Sequence, residues 1–224
     1  MRPAGHAWEY RAEGVADIVH PEVDKRYLRM PHAERGMQVG LFGGSFNPPH
    51  AGHALVAEVS LRRLALDQLW WMVTPGNPLK NVQDLAPLAE RIKQSQALAV
   101  DPRIKVTALE AAYRLRFTAD TLELIKSRNP GVDFVWIMGA DNLRDFHRWQ
   151  RWREIVTTFP IAVIDRPGST LSYLSSVVTK AFEHARVDEA DAPKLARMKP
   201  PAWTFIHGPR SSLSSTAIRD GRQS

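Results

Sequence analysis

Apolar and polar positions alternate in blocks along the chain, and the blocks predict a repeating order of strand and helix. Short apolar runs bounded by turn residues predict strands at 38–43, 69–73, 104–107, 132–138, 160–164 and 203–206. Apolar residues spaced three and four apart predict helices at 51–67, 87–100, 118–128, 142–157 and 171–185, with another from Ser215. This alternation is typical of a parallel sheet covered by helices on both faces, so we expect a single α/β domain with a Rossmann-like sheet.

Two stretches lack this periodicity. We interpret residues 1–36 as an N-terminal extension of unknown role, with at most a short helix, and residues 37–224 as the folded domain. The polar stretch 186–201 predicts a loop between the last helix and the last strand.

The composition excludes several classes of protein. Hydrophobic residues make up 44% of the 224 positions and charged residues 24%, which is ordinary for a globular domain. The chain has 0 cysteines, so disulfides, thiolate nucleophiles and Cys-ligated zinc are excluded. No apolar run approaches the ~18 residues of a membrane span, and no secretory signal is visible, so we expect a cytoplasmic protein.

The net charge of +6 is concentrated near the C-terminal end. Residues 194–224 contain six basic side chains, at Lys194, Arg197, Lys199, Arg210, Arg219 and Arg222, against the single acid Asp220. A basic end favours a polyanionic partner, either a nucleotide or a nucleic acid. A solvated charged tail explains the charge equally well.

A glycine- and histidine-containing segment follows the first predicted strand. Gly43 and Gly44 allow a sharp turn and a close approach of the backbone to a ligand. The helix that begins in this segment offers N–H groups and a partial positive charge, which suit phosphate. His50 and His53 are three residues apart, so they share one face of the first helical turn and can reach the same phosphate. A lone histidine is more often structural, but this combination between strand and helix favours a phosphate site.

A second segment near the C-terminus carries hydroxyl groups and a guanidinium. Ser214, Ser215 and Thr216 precede Arg219 at the start of a predicted helix. Such hydroxyls can cap the helix or donate to phosphate oxygens, and arginine binds phosphate through two parallel hydrogen bonds. Plain N-capping is the alternative interpretation, and only together with the first segment does this one indicate a two-sided phosphate clamp.

The two segments together resemble the paired signatures of the HxGH nucleotidyltransferases, and within them the bacterial nicotinate-nucleotide adenylyltransferases. The resemblance covers roughly residues 37–221. Its motifs are Gly44-Ser45-Phe46-Asn47-Pro48-Pro49-His50-Ala51-Gly52-His53, Asn77-Pro78-Leu79-Lys80, Phe117-Thr118-Ala119-Asp120-Thr121-Leu122, Gly139-Ala140-Asp141-Asn142-Leu143, Phe146-His147-Arg148-Trp149 and Ser214-Ser215-Thr216-Ala217-Ile218-Arg219.

The resemblance implies adenylyl transfer from ATP to nicotinate mononucleotide, which gives nicotinate adenine dinucleotide and pyrophosphate in NAD biosynthesis. It implies catalytic roles in stabilising phosphate charge for His50, His53, Lys80 and Arg219. It implies ATP contacts for Gly43, Gly44, Ser45, Phe46, Asn47, Gly139, Asp141, Ser214, Ser215 and Thr216. Mg²⁺ is expected with ATP as the substrate, because it bridges phosphates with few protein ligands.

The nicotinate end of the site is implied by two further residues. Trp149 resembles an aromatic residue that stacks on the pyridine ring, and Thr118 begins a helix whose N–H groups could meet the carboxylate. Trp149 also forms a stripe at spacing three with Phe146 and Trp152, which is equally typical of a buried face. Asp141 resembles an acceptor for ribose hydroxyls, with helix N-capping as the alternative.

The sequence departs from the family pattern at three places. The extension 1–36 has no counterpart, and we expect its deletion to leave activity nearly unchanged. Phe117 stands where tyrosine is common, and the chain ends five residues after Arg219, which shortens the usual C-terminal helix.

Rival functions remain open from the sequence. A sister adenylyltransferase would act on nicotinamide mononucleotide or phosphopantetheine, and a non-enzymatic nucleotide- or RNA-binding protein would bind without turnover. We expect ATP and nicotinate mononucleotide as small-molecule partners, without nucleic acid or membrane, and the oligomeric state stays open.

Overall fold

A computed structural model describes residues 22–76, 85–165 and 176–208, and these contain one six-stranded parallel sheet. The strands are β1 (Gln38–Gly44), β2 (Gln68–Val73), β3 (Ile104–Thr107), β4 (Asp133–Gly139), β5 (Ile161–Ile164) and β6 (Trp203–Ile206). Their order in the sheet is β3-β2-β1-β4-β5-β6. From β1 the chain adds strands toward one edge of the sheet as far as β3, and from β4 it adds strands toward the other edge. The switch point between the two halves lies between β1 and β4, where sheets of this order bind their ligands.

Helices connect the strands. The α-helices are α1 (Ala51–Arg63), α2 (Leu88–Leu98), α3 (Leu109–Tyr113), α4 (Thr118–Arg128), α5 (Ala140–Leu143), α6 (Trp152–Thr158) and α7 (Val177–Ala181). Short 3-10 helices span Lys25–Leu28, Phe146–Arg148, Glu183–Ala185 and Glu189–Arg197. Within the described ranges, no helix combines the length and apolarity needed to cross a membrane.

The sheet has a hydrophobic core on each of its two faces. Neighbouring residues of one strand point to opposite faces, so Leu41 and Trp70 belong to one core while Phe42 and Trp71 belong to the other. Burial on both faces explains why the strands read as unbroken apolar runs. The α/β parallel-sheet prediction is confirmed, and all six predicted strands are present within one residue of the expected bounds or extended by one.

The helix predicted over 142–157 is wrong as a single element. The chain instead forms α5, a 3-10 turn, an extended Trp149 and then α6, whose N-cap Arg151 is in the left-handed region at φ 57°. The N–H of Trp149 bonds to Phe146 O and that of Trp152 bonds to Trp149 O, three residues back each time. The spacing of three among these aromatic residues therefore comes from successive tight turns and not from an α-helix.

The expected polar loop at 186–201 is also wrong. A 3-10 helix at Glu189–Arg197 buries Ala192, Leu195 and Ala196 against the sheet, although its exposed residues make the sequence look polar. Of the helix predicted at 171–185, the described part is helical only at α7, followed by the 3-10 turn. Residues 171–175 and the helix expected from Ser215 lie outside the described residues.

The described part of the N-terminal extension, residues 22–36, is attached to the domain. The Thr107 hydroxyl donates to the carbonyl oxygens of Tyr27 at 3.1 Å and Arg29 at 3.0 Å. The backbone N–H of Ala108 also donates to Tyr27 O, at 2.6 Å. This part of the chain therefore covers the end of the edge strand β3 and is not a free tail.

Candidate active site

The candidate site lies at the carboxyl edge of the sheet, where β1 and β4 end side by side. Phe42 is in register with Ile137, so two residues later Gly44 and Gly139 end the two strands at the same level. The segment containing His50 and His53 follows β1, and Asp141 follows β4. The topology therefore brings the first predicted phosphate segment and the predicted ribose acceptor to the same switch point.

His50 and His53 cap the N-terminus of α1 together. His50 is the N-cap residue, and its Nδ1 accepts the N–H of Gly52 at 3.1 Å. The Nδ1 of His53 accepts the N–H of His50 at 3.2 Å, and the N–H of His53 returns to His50 O at 2.8 Å. The expectation that this helix start offers free N–H groups is therefore wrong for Gly52 and His53. These two N–H groups are used within the helix start, and phosphate contacts of the two imidazole rings stay a prediction.

The two rings are held firmly. They are 5% and 9% exposed, and their centroids lie 3.8 Å apart. The ring of Phe46 packs against His53 edge to face at 4.9 Å, and Trp71 lies at 6.3 Å. His50 and His53, the predicted phosphate contacts, are therefore also structural residues of the helix start. Phe46 and Trp71 form an aromatic wall beside His53.

Gly43 and Gly44 are needed for packing, and their role in the approach to a ligand stays a prediction. A Cβ on Gly43 would lie 2.7 Å from Trp136 Cη2, and one on Gly44 would lie 3.2 Å from the ring of Phe46. Phe46 itself takes the left-handed conformation, with φ 45°. The loop after β1 is thus compact because two aromatic side chains fill the space that other residues would need.

Arg91 was not predicted as part of the site. It is 1% exposed, and its guanidinium donates to backbone oxygens of Ser45, Thr74, Pro75 and Ala86. Burial without charge compensation lowers the pKa of Arg91 to about 10. A signal existed in the sequence, because Arg91 occupies the buried stripe of α2, where apolar residues are expected.

Asn47 also ties the loop after β1 to the chain before α2. Its Oδ1 accepts the N–H of Ala86 at 3.0 Å, and the residue is buried. The side chain that the motif assigned to ATP therefore has at least one structural partner.

Asp141 lies in the first turn of α5, with an exposed side chain. The N-cap of this helix is Gly139, so the alternative that Asp141 is the N-cap residue is wrong. Its place after β4 keeps it at the switch point, where an acceptor for ribose hydroxyls is expected.

Trp149 and Thr118 occupy the α4–α6 side of the fold. Trp149 is half-buried and packs edge to face against Trp136 at 6.2 Å and Phe146 at 5.2 Å. Thr118 is the first residue of α4, and no side chain caps that helix at Phe117. Phe146 and Trp152 are the buried members of the stripe, while Trp149 keeps part of its surface open.

Arg151 connects the two elements that carry Thr118 and Trp149. It pairs with Glu154 at 2.6 Å, with Asp120 of α4 at 2.8 Å and with Glu123 at 3.3 Å. The hydrogen bond to Glu154, followed by that to Glu123, raises the pKa of Arg151 above its ordinary value. The pair with Asp120 places a positive charge next to the only acidic residue in the first turn of α4.

Glu110 is a buried carboxyl behind α4. It is 8% exposed, and its side chain accepts a hydrogen bond from the Thr121 hydroxyl at 2.9 Å. Burial raises the pKa of Glu110 to about 7, although the hydrogen bond from Thr121 acts in the opposite direction.

Several predicted site residues lie outside the described residues, namely Lys80, Ser214, Ser215, Thr216 and Arg219. Their roles stay predictions. Across 22–76, 85–165 and 176–208, no group of three or more His, Asp or Glu side chains could hold a metal ion.

The sheet order and the histidine pair at its switch point define a nucleotide-binding protein of the nucleotidyltransferase class. Residues 41–221 match the family model described as cytidylyltransferase-like, which spans the loop after β1 as well as the C-terminal segment.

Curated bacterial relatives give the particular group. The chain is 79% identical over 190 residues to a "Probable nicotinate-nucleotide adenylyltransferase" of Mesorhizobium japonicum, covering 85% of this chain and 97% of the relative. It is 73% identical over 183 residues to the protein of that name in Brucella abortus strain 2308, covering 82% and 94%. The Rhizobium johnstonii protein of that name is 68% identical over 192 residues, covering 86% and 96%. The chain therefore belongs to the nicotinate-nucleotide adenylyltransferase family of the cytidylyltransferase-like proteins.

Solved structures agree on the fold. Plasmodium falciparum nicotinic acid mononucleotide adenylyltransferase complexed with NaAD is similar with a TM-score of 0.62 at 19% identity, over 82% of this chain and 83% of that one. The same protein complexed with APC gives 0.60 at 18% identity, with the same coverage of 82% and 83%.

Proposed function

We propose that the protein is a cytoplasmic enzyme that transfers the adenylyl group of ATP to nicotinate mononucleotide. The observation that carries the proposal is the position of His50 and His53, which lie at the N-terminus of α1, next to the point where the paired strands β1 and β4 end. The 79% identity to a relative named as this enzyme supports the acceptor.

The reaction needs positioning more than acid–base chemistry. A phosphate oxygen of nicotinate mononucleotide attacks the α-phosphorus of ATP, a new P–O bond forms, and the bond from the α-phosphorus to the bridging oxygen breaks. Pyrophosphate leaves with that electron pair. The attacking oxygen is already anionic, so no general base is required, and the protein has to align the two phosphates and stabilise the developing charge.

His50 and His53 can act as neutral hydrogen-bond donors in this reaction. Each Nδ1 accepts a backbone N–H, so a neutral ring carries its proton on Nε2. An Nε2–H can donate to a non-bridging phosphate oxygen. The aromatic wall around His53 excludes water from one side of the ring, which strengthens such a bond.

The remaining ATP contacts follow the motif assignments. Gly43 to Asn47 would shape the loop around the triphosphate, and Gly139 and Asp141 would meet the adenosine part. Lys80 and Arg219 would neutralise triphosphate oxygens, and Ser214 to Thr216 would bind the departing pyrophosphate.

Mg²⁺ would enter with ATP as part of the substrate. Mg²⁺ keeps several waters and is commonly bound through substrate phosphates with one or two carboxylates, so the described residues, which lack a larger acidic cluster, fit this mode. Bound there, it would neutralise phosphate charge.

The acceptor would lie between α4 and the turn that carries Trp149. The first turn of α4, uncapped at Phe117, suits a carboxylate, and the open face of Trp149 suits a pyridine ring. The pairing of Asp120 with Arg151 lowers the repulsion that a carboxylate would otherwise meet there.

The test compares the release of pyrophosphate from Mg²⁺–ATP with nicotinate mononucleotide and with nicotinamide mononucleotide. A carboxylate held by charged hydrogen bonds gains ~1.5–3 kcal/mol per contact. Two such contacts give a preference of roughly 10²–10⁴ for the acid, at about 1.4 kcal/mol per tenfold. His53→Ala protein, purified in the same way, controls for contaminating activity.

Equal or reversed preference would overturn the acceptor and leave adenylyl transfer in place. Release only with phosphopantetheine would reassign the substrate. ATP binding without release for any acceptor would replace the enzyme by a nucleotide-binding protein.

A further inference from the structure

The side chain of Arg91 points into the protein at the carboxyl edge of the sheet. Its Nε donates to Ala86 O at 2.9 Å, and its Nη2 donates to Pro75 O at 3.2 Å. Its Nη1 donates to Ser45 O at 2.6 Å and to Thr74 O at 2.8 Å. All three guanidinium nitrogens are therefore used, and each acceptor is a backbone carbonyl.

These carbonyls belong to three separate segments. Ser45 is in the loop after β1, Thr74 and Pro75 follow β2, and Ala86 precedes α2. The side chain of Asn47 adds a direct link from the first segment to the third, through the N–H of Ala86. One guanidinium thus fixes the loop after β1 relative to both described ends of the chain between β2 and α2.

The charge of Arg91 is not needed for an ion pair. None of its hydrogen bonds is to a carboxylate, and no described acid pairs with it. Burying a guanidinium in this way costs free energy that a leucine would not, and Leu88 and Ile92 on the same stripe show that apolar side chains fit this face. The fork geometry of arginine, which can bond several carbonyls at fixed angles, explains its presence better than stability does.

We propose that Arg91 is a positioning residue for ATP. It fixes the backbone of Ser45 to Asn47 in the conformation that receives the triphosphate, without touching the substrate. This inference rests on the proposed function only in assigning ATP to the loop after β1, and not on the choice of acceptor.

The test uses Arg91→Lys and Arg91→Met, with Ile92→Ala as the control. Ile92 is buried on the same helix, and its truncation removes core packing while leaving the four hydrogen bonds of Arg91 in place. Binding of a non-hydrolysable ATP analogue is measured by calorimetry, together with the melting temperature and the KM for each substrate.

We expect Arg91→Met to weaken binding of the analogue by up to about 10², the effect of a displacement near 1 Å. Arg91→Lys should lose less affinity for the analogue, because lysine keeps the charge although it lacks the forked guanidinium. Ile92→Ala should lower only the melting temperature. KM for nicotinate mononucleotide should change little. Arg91 variants that melt as early as Ile92→Ala yet bind the analogue as tightly as the parent would show a purely structural role.

A measurement on the unmodified protein covers the case in which the variants do not fold. Hydrogen exchange at the N–H of Ala86, which bonds to Asn47, should be slow before any ligand is added. Rapid exchange that slows only with the ATP analogue would show that the ligand orders the loop, and would overturn the proposal. A parent protein that binds ATP but turns over no acceptor would instead contradict the proposed function and leave this inference standing.

Discussion

The Nδ1 atom of His53 lies 3.2 Å from the backbone nitrogen of His50 and accepts its hydrogen. The Nδ1 of His50 is used in the same way, by the N–H of Gly52. The secondary structure thus selects the tautomer of both rings, since Nδ1 has to stay unprotonated for the caps to form. The helix start and the chemistry of the two rings depend on the same atoms.

Replacing His53 separates these two contributions. We expect His53→Ala to fold and to lose turnover by at least ~10², the effect of removing one preorganised group that stabilises charge. The lost cap lowers the free energy of unfolding by about 1 kcal/mol, and the lost packing of the buried ring against Phe46 lowers it further. Steady-state kcat measures the loss of turnover, and the melting temperature measures the loss of stability. Ser60→Ala, which removes a buried hydroxyl bonded to Val56 O on the same helix, is the control for a buried change on α1 away from the histidine pair, and its turnover should stay unchanged. Near-normal turnover of His53→Ala would remove His53 from the mechanism.

Trp149→Ala tests whether the open face of this indole binds the acceptor. Stacking of an aromatic ring on a base is worth ~1–3 kcal/mol, so KM for nicotinate mononucleotide should rise roughly 5- to 100-fold while KM for ATP stays unchanged. Trp152→Phe, a buried change in the same stripe, should leave both KM values unchanged. Equal effects of the two variants on KM would assign Trp149 to packing alone.

Glu110→Gln tests the buried carboxyl through pH. The pKa of Glu110 is raised to about 7 from its ordinary 4.5, so between these pH values the folded chain holds a proton that the unfolded chain has lost. Stability therefore falls as pH rises across this window. The free energy of unfolding of Glu110→Gln should exceed that of the parent by up to about 3 kcal/mol at pH 8, and this difference should vanish near pH 4.

Chemical denaturation at a series of pH values measures this difference. Glu58→Gln, the same change of residue type at an exposed position on α1, is the control. A constant difference between Glu110→Gln and the parent would show that Glu110 titrates normally.

Two truncations distinguish the halves of the N-terminal extension. Removing residues 1–36 breaks three hydrogen bonds, at about 1 kcal/mol each: the one that the Thr107 hydroxyl shares between two carbonyls, the one from Ala108, and the one from Gly36 to Gly131 O. The melting temperature should then fall by about 6–12 °C, with turnover per folded molecule nearly unchanged. Removing only residues 1–21 keeps all three of these hydrogen bonds and is the control. Equal melting temperatures for both truncations would mean that residues 22–36 contribute no stability.

Much of the fold could be predicted because a doubly covered parallel sheet leaves a strong local signal. Trp70 and Trp71 face opposite cores, so the strand had to be apolar at every position. The turn at Trp149 could not be predicted, because spacing three fits both an α-helix and a chain of tight turns, and only the left-handed Arg151 decides between them. The packing role of Gly43 depends on Trp136, a residue 93 positions away in sequence.

The candidate site also contains residues that the sequence predicts and residues that it does not. His50 and His53 are three residues apart, so their proximity could be predicted, although His50 is the extended N-cap residue and the expectation that it lies in the first helical turn is wrong. Arg91 joins segments that are far apart along the chain, and its carbonyl partners carry no side-chain signal. Asparagine at position 47 was assigned to ATP from its motif, while its bond to Ala86 depends on how two loops meet.

The indole of Trp136 touches both halves of the site. One edge fills the space beside Gly43, and the ring packs against Trp149 at 6.2 Å. A side chain at position 43 would displace this rigid ring, which also packs against Trp149. The loop proposed to receive the nucleotide donor and the surface proposed to recognise the acceptor therefore share one side chain, and we expect a change in the first to alter selectivity in the second.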